Sequence, residues 1–204
     1  MSVLFIDSSY DITLGLLDEN LGWHDLRVFR GQRASATLQT ETHKLMKDFH
    51  LEMKNLKGVV SIAGPGFYTG LRLSEGFADV TKFFTLPHNS FYSYEVPLWL
   101  GHNEGTWITK AYRGEYFIYD WKGETSRIRL ISTKDLPDLK ITNQVFIHSD
   151  TSLDEKLSSF AVGAISTSDL LKNHSQKIFS HVLKGMTRES YYFRAPEDEF
   201  RMNP

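Results

Sequence analysis

Residues Gly58 to Phe84 read GVVSIAGPGFYTGLRLSEGFADVTKFF, and the fold turns on how they are parsed. The apolar run Val59–Ala63 predicts a strand. Three glycines follow at Gly64, Gly66 and Gly70, and then amphipathic spacing predicts a helix from Gly70 to Phe84. Strand, glycine turn and helix in that order form a common phosphate cradle, because glycine admits a close approach and the first N–H groups of a helix attract anions. Here the cradle is incomplete. No lysine follows the last glycine, GxGxxG is missed by one residue, and Pro65 removes a donor from the middle of the turn. The other use of such glycines is a tight strand-to-helix turn, with Thr69 expected as the N-cap.

The helix carries two stripes. Leu73, Phe77, Val80 and Phe84 make one apolar line, and Gly70, Ser74 and Ala78 make a neighbouring line of small side chains that would let another helix come close. An earlier predicted helix, Leu38 to Met53, places Met46, Phe49 and Met53 at similar spacing. One small sheet does not bury both faces of two helices. Two readings stand: an exposed pair that docks a partner, with Met46, Phe49, Met53, Leu73, Ser74, Phe77 and Ala78 as candidate contacts, or the more common use of such side chains as core, with some of these facing inward.

Upstream, Val3–Ile6, Ile12–Leu17 and Trp23–Phe29 read as strands, giving the first lobe a βββαβα order. After Gly101 the order restarts. Trp107–Ala111, Tyr116–Trp121, Ile128–Ile131 and Val145–His148 read as strands, and Ser168–Leu183 has helical spacing. The second half is thus a degraded copy of the first. Two lobes are expected, residues 1–101 and 102–204, each an α/β unit with a mixed sheet and flanking helices.

Composition narrows the function classes. With 204 residues and a formal net charge of −2, the chain has no electrostatic reason to bind nucleic acid strongly on its own. It has no cysteine, which removes disulfides, thiolate metal sites and cysteine nucleophiles. The opening MSVLFIDSSYDITLG lacks a basic leader, and no apolar run approaches the roughly 20 residues that span a bilayer. A soluble cytoplasmic protein with no membrane contact is expected.

Folds of the actin and hexokinase type handle phosphates with an acidic residue and a glycine hairpin in each lobe. FIDSSYDITLGLL supplies Asp7, Ser8, Ser9 and Gly15 in the first lobe, where Asp7 either orients a metal-bound water or caps a turn. In the second lobe, WITKAYRGEYFIYDW has Lys110 and Arg113 flanking the place where the second acidic hairpin is expected. No Gly-Gly pair there makes room for an adenosine, so ATP hydrolysis by this chain alone is not expected. His43 and His50 lie seven residues apart, about 10.5 Å along a helix, too far to share one metal. No metal site and no catalytic residue is assigned, since GxSxG and HExxH are also absent. The aromatics Tyr191, Tyr192 and Phe193 are expected to dock on the protein body.

Four segments in order resemble the TsaB family, formerly called YeaZ. SIAGPGFYTGLRLSEGFADV matches its GPGSFTGxR hallmark at Gly64, Pro65, Gly66, Thr69, Gly70 and Arg72, with Phe67-Tyr68 in place of Ser-Phe. LFIDSSYDITLGLLD resembles the family's opening strand pair. AYRGEYFIYDW resembles its DARxGEVY segment at Arg113, Gly114, Glu115 and Tyr116, and YYFRAPEDEF resembles its C-terminal YLRxPExE. The resemblance implies a two-lobed actin-like ATPase fold (the ASKHA, ribonuclease H-like class) whose nucleotide site has decayed. It implies a non-catalytic partner of TsaD, which transfers a threonylcarbamoyl group to the adenosine beside the anticodon of tRNA, with the ATPase TsaE completing the system. It further implies docking through the first-lobe helices, homodimers in isolation, ATP or ADP and metal on the partner subunits, and tRNA contact at most indirect. The alternatives are a small kinase of the same fold, a peptidase-like enzyme, or a stand-alone homodimer.

Overall fold

The structure is a computed structural model that describes residues 2–112, 114–149, 156–157, 160 and 162–193. Arg113 and the acidic C-terminal run after Phe193, which carry part of the resemblance, lie outside the described residues. The chain divides into two compact units, one running to Tyr92 and resuming at Phe179, the other spanning Ser93–Ile178.

In the first unit, β1 (Val3–Asp7), β2 (Ile12–Leu17) and β3 (Trp23–Phe29) form an antiparallel meander. Two further strands, β4 (Gly58–Gly64) and β5 (His88–Tyr92), add in parallel beside β1, so the sheet order is β3-β2-β1-β4-β5. All of β1 and β4 is buried because both faces of the sheet are covered. On one face, Leu4, Ile6, Leu14 and Val59 pack with Leu38, Leu45 and Met46 of helix α1 (Ala34–Asp48). On the other face, Phe5 meets Trp23 and Phe179 edge-on at 5.5 Å each. Alternation of side chains along a strand is what sends Leu4 and Phe5 to opposite layers.

Helix α1 begins four residues before the expected Leu38 and stops at Asp48, well short of Met53. His50, with φ of 52°, turns the chain out of the helix, and Met53 sits in a short 3-10 turn. One buried hydroxyl on α1, that of Thr42, finds no hydrogen-bond partner among the described residues. An unpaired buried hydroxyl costs about 1–3 kcal/mol, and valine keeps its shape. Thr42→Val should therefore raise the unfolding free energy by about 1 kcal/mol, read from urea melts.

The second unit repeats the arrangement. Strands β6 (Glu104–Lys110), β7 (Glu115–Lys122) and β8 (Thr125–Ser132) form a meander, and β9 (Val145–Ile147) and β10 (Ile165–Ser166) add in parallel, giving β10-β9-β6-β7-β8. The expected copy thus holds at the level of topology. Ile108, Tyr116, Ile118 and Ile147 fill one face with Leu136 and Leu157. The expected helix Ser168–Leu183 is two, Thr167–Asn173 and Ser175–Val182, broken at His174.

The compact units are cut elsewhere than at the expected 101/102 boundary. Chain from Ser93 joins the second unit because Tyr94 stacks on Tyr119 at 4.3 Å and Ser93 Oγ lies 3.2 Å from His148 Nδ1. Phe179 belongs with the first unit because its ring lies against Phe5, Trp23 and Phe91.

Candidate functional site

Helix α2 (Tyr68–Phe83) leaves β4 through the glycine turn, and the reason for each glycine is a backbone that comes close. A Cβ on Gly70 would stand 1.8 Å from the Ser8 carbonyl oxygen, and one on Gly66 would stand 2.6–2.8 Å from Ser9. Gly64 combines a φ of +117° with the Tyr191 carbonyl oxygen 2.7 Å from where its Cβ would be. The turn is therefore packed onto the β1–β2 turn on one side and onto the C-terminal segment on the other. Pro65 and Gly66 are buried within it.

Polar groups of the Asp7–Ser8–Ser9 turn are engaged with the same elements. Asp7 Oδ1 accepts from Ser9 N–H at 2.9 Å and from the Ser9 hydroxyl at 2.6 Å, which is the turn-capping role. The Ser8 hydroxyl donates to the Gly70 carbonyl at 2.7 Å and lies beside the Ser74 hydroxyl. Phe67 N–H, one of the donors a phosphate cradle would need, goes to the Ser9 carbonyl at 2.9 Å. Thr69 is not the N-cap. Phe67 holds that position without a side-chain cap, and Thr69 lies inside the first turn with its side chain exposed. Among the described residues no cluster of three His, Asp or Glu side chains could hold a metal.

The C-terminal segment closes the other side of the turn. Tyr191 N–H donates to the Ala63 carbonyl at 2.8 Å, and Gly66 and Tyr192 form a parallel bridge. Phe193 joins Tyr10 and Phe67 in an edge-on aromatic cluster, and Tyr192 lies 5.1 Å from Tyr68. The aromatics dock on the body as expected. Arg72, the last residue of the motif, is tied to the same segment. It pairs at 2.7 Å with Glu75, whose other oxygen accepts from the Tyr192 hydroxyl at 2.8 Å.

That triad has a pH signature. Burial pushes the Glu75 carboxyl up, but hydrogen bonds from Ser190, Tyr192 and Arg72, with the Arg72 charge, outweigh it and hold the group below its ordinary 4.5. A depressed carboxyl stabilises the fold above 4.5 and loses that contribution as pH falls through its lowered folded value. Burial, then the bond to Glu75, pushes the Tyr192 phenol above its ordinary 10.0, so its contribution is lost only as pH rises through that raised value. Melting wild type and Glu75→Gln side by side should show a gap that is full at neutral pH and closes in acid; a gap independent of pH would remove the triad.

The small-residue stripe faces inward, a correction to its expected exposure. Gly70 and Ser74 are packed on Ser8, Ala78 is buried, and Met46 is in the core. Leu73, Phe77, Phe49 and Met53 are partly buried against that core. What α2 turns outward is the apolar Val80 and Phe83 with Gly76, among the charged Arg72, Asp79 and Lys82, followed by Phe84; Phe83 is 87% exposed. Spacing alone signalled Val80 and Phe84; nothing in the sequence distinguished Phe83 from a core residue.

Overlaid on solved structures, the chain matches YeaZ from Pseudomonas aeruginosa with a TM-score of 0.61 at 13% identity, over 91% of this chain and 95% of that one. The chain folds like YeaZ. A second structure, an uncharacterized protein with similarity to peptidase YeaZ from Pseudomonas aeruginosa, gives 0.58 at 13% identity over 93% and 99%. The ethanolamine utilization protein EutJ from Carboxydothermus hydrogenoformans gives 0.51 at 13% identity over 87% and 89%. At such identities the likeness to YeaZ is one of fold, and the expected α/β class, with a mixed sheet and flanking helices in each unit, is the one this chain has. No family model matches the sequence, and no curated protein matches it. Among the described residues no helix is long and apolar enough to cross a membrane.

Proposed function

We propose that this chain is a TsaB-type, non-catalytic scaffold subunit that binds and supports a TsaD-like catalytic subunit in forming threonylcarbamoyladenosine on tRNA. The observation that carries the reading is the glycine turn, which keeps the family's Gly64, Pro65, Gly66, Thr69, Gly70 and Arg72 but uses its glycines to seat α2 on Ser8 and Ser9. A YeaZ-like fold over nearly the whole chain supports it, as does an outward apolar stripe on the helix that the turn aims. In this reading the chain is a pseudo-ATPase that holds no cofactor firmly. ATP or ADP and metal belong to the TsaD-like subunit and to a TsaE-like ATPase, tRNA is reached through the catalytic partner, and the assembly works in the cytoplasm. Without that partner the α2 face pairs two copies of the chain.

The test is to mix the purified chain with the TsaD homologue from the same source and weigh the products by light scattering. A heteromeric mass replacing the homodimer is the expected result; two unchanged species would overturn the reading. Calorimetry with ATP on the isolated chain is the second arm, and tight binding there would favour a kinase instead.

A further inference from the structure

The second unit holds a charged groove that the scaffold reading does not use. Lys122, Arg127 and Arg129 from the β7–β8 hairpin and Lys140 from the following loop line a cleft of about 400 Å³, with Asp120 as the one carboxylate among the described residues of its lining. This concentration of positive charge stands on a chain whose net charge is −2. Asp120 is already engaged, taking the Arg129 guanidinium and the Thr106 hydroxyl. Lys122 is paired with Glu104 at 3.3 Å. Arg127 and Lys140 have no acidic partner among the described residues, and both are exposed. Thr142 also lines the cleft, and its hydroxyl has no protein hydrogen bond among the described residues.

Two roles compete for these cations. Strand β8 is the edge of its sheet, and charges on an edge strand deter pairing with other chains. That role explains Arg127 and Arg129 but does not require Lys140, from a separate segment, to share the same cleft. Convergence of two segments on one groove is what a ligand needs. Arginine's planar fork and lysine's ammonium are the side chains that take phosphate oxygens. Among the described residues the one aromatic in the lining, Trp121, is buried and donates its indole N–H to the His102 carbonyl, so none of them offers a ring for a base to stack on.

We propose that this groove is a phosphate-binding site, with Arg127 and Lys140 as its principal contacts and Thr142 as a neutral donor. The group recognised is the phosphate itself, carried either by a free diphosphate-bearing molecule or by a polynucleotide backbone. The proposal stands whether or not the chain is a scaffold subunit.

Full-length protein at low salt is titrated with inorganic pyrophosphate by calorimetry, and with a single-stranded RNA of about 12 nucleotides, within the usual range of single-strand sites, by fluorescence anisotropy. Wild type should bind at least one probe. Arg127→Gln and Lys140→Gln should each weaken that binding about tenfold, the worth of one charge-assisted contact, while Lys134→Gln outside the groove leaves it unchanged. Far-UV spectra confirm that the exposed-site variants remain folded. Binding of pyrophosphate alone identifies a free ligand. Binding of RNA, with a salt slope that shallows in Arg127→Gln, identifies a backbone. Failure of the folded wild type to bind either probe, or equal losses in all three variants, overturns the site.

Discussion

Gly70→Ala should be the most damaging single-methyl change in the first unit, lowering the unfolding free energy by about 3 kcal/mol or more. The added Cβ would sit 1.8 Å from the Ser8 carbonyl oxygen and 2.9 Å from its carbon. Those are backbone atoms of the chain leaving β1, which is buried on both faces, so they cannot swing aside as a flexible side-chain tip would. Relief requires α2 to lift from the sheet, and lifting it breaks the Ser8 bonds to Gly70 and Ser74. Helix propensity alone predicts the opposite sign, since alanine outranks glycine by about 1 kcal/mol in a helix interior. Gly76 supplies the control. It lies in the same helix with nothing within 4 Å of its added Cβ, so Gly76→Ala should stabilise the isolated chain by about 1 kcal/mol. Urea melts of the two variants, moving in opposite directions, would separate close packing from propensity. A mild effect at Gly70 would mean that the turn is not seated on Ser8.

The same contrast shows what the sequence could and could not reveal. Strands β2 and β3 were legible to the residue because Ile12–Leu17 and Trp23–Phe29 alternate or cluster apolar side chains between turn-forming residues. Strand β5 was not, because HNSFY looks polar. Its Asn89 and Ser90 are buried all the same, the amide donating to the Met186 carbonyl and the hydroxyl to the Arg188 carbonyl. A strand stabilised by backbone groups nearly one hundred residues away carries no local periodic signal. The candidate site divides in the same way. Glycine positions and the docking of Tyr191, Tyr192 and Phe193 followed from composition. Orientation of the small-residue stripe did not, because a period of four defines a face without saying which way it points. Contact with Ser8 decides that, and it turns Ser74 and Ala78 inward.

Phe83→Asp should abolish most of the proposed association with a TsaD-like subunit while leaving the fold intact. Phe83 is 87% exposed at the end of α2, with Val80 and Phe84 exposed beside it, so a carboxylate there disturbs no packing inside this chain. At the centre of an interface an aromatic anchor is worth about 2 kcal/mol or more, so affinity should fall at least about 30-fold. Ala78→Lys gives the complementary result. Ala78 is buried at the wall of a cleft of about 430 Å³, and a lysine there must thread its stem past buried Ser74 and Ser61 and bring its ammonium beside Lys82, so the expected loss is of stability first. Measuring both melting temperature and affinity for each variant distinguishes the two faces of α2. Were Ala78→Lys to keep its stability and lose only binding, the small-residue face would be the docking surface. Were Phe83→Asp to bind as wild type does, the outward stripe would have no part in the assembly, and the glycine turn would be seating α2 for the sake of the sheet alone.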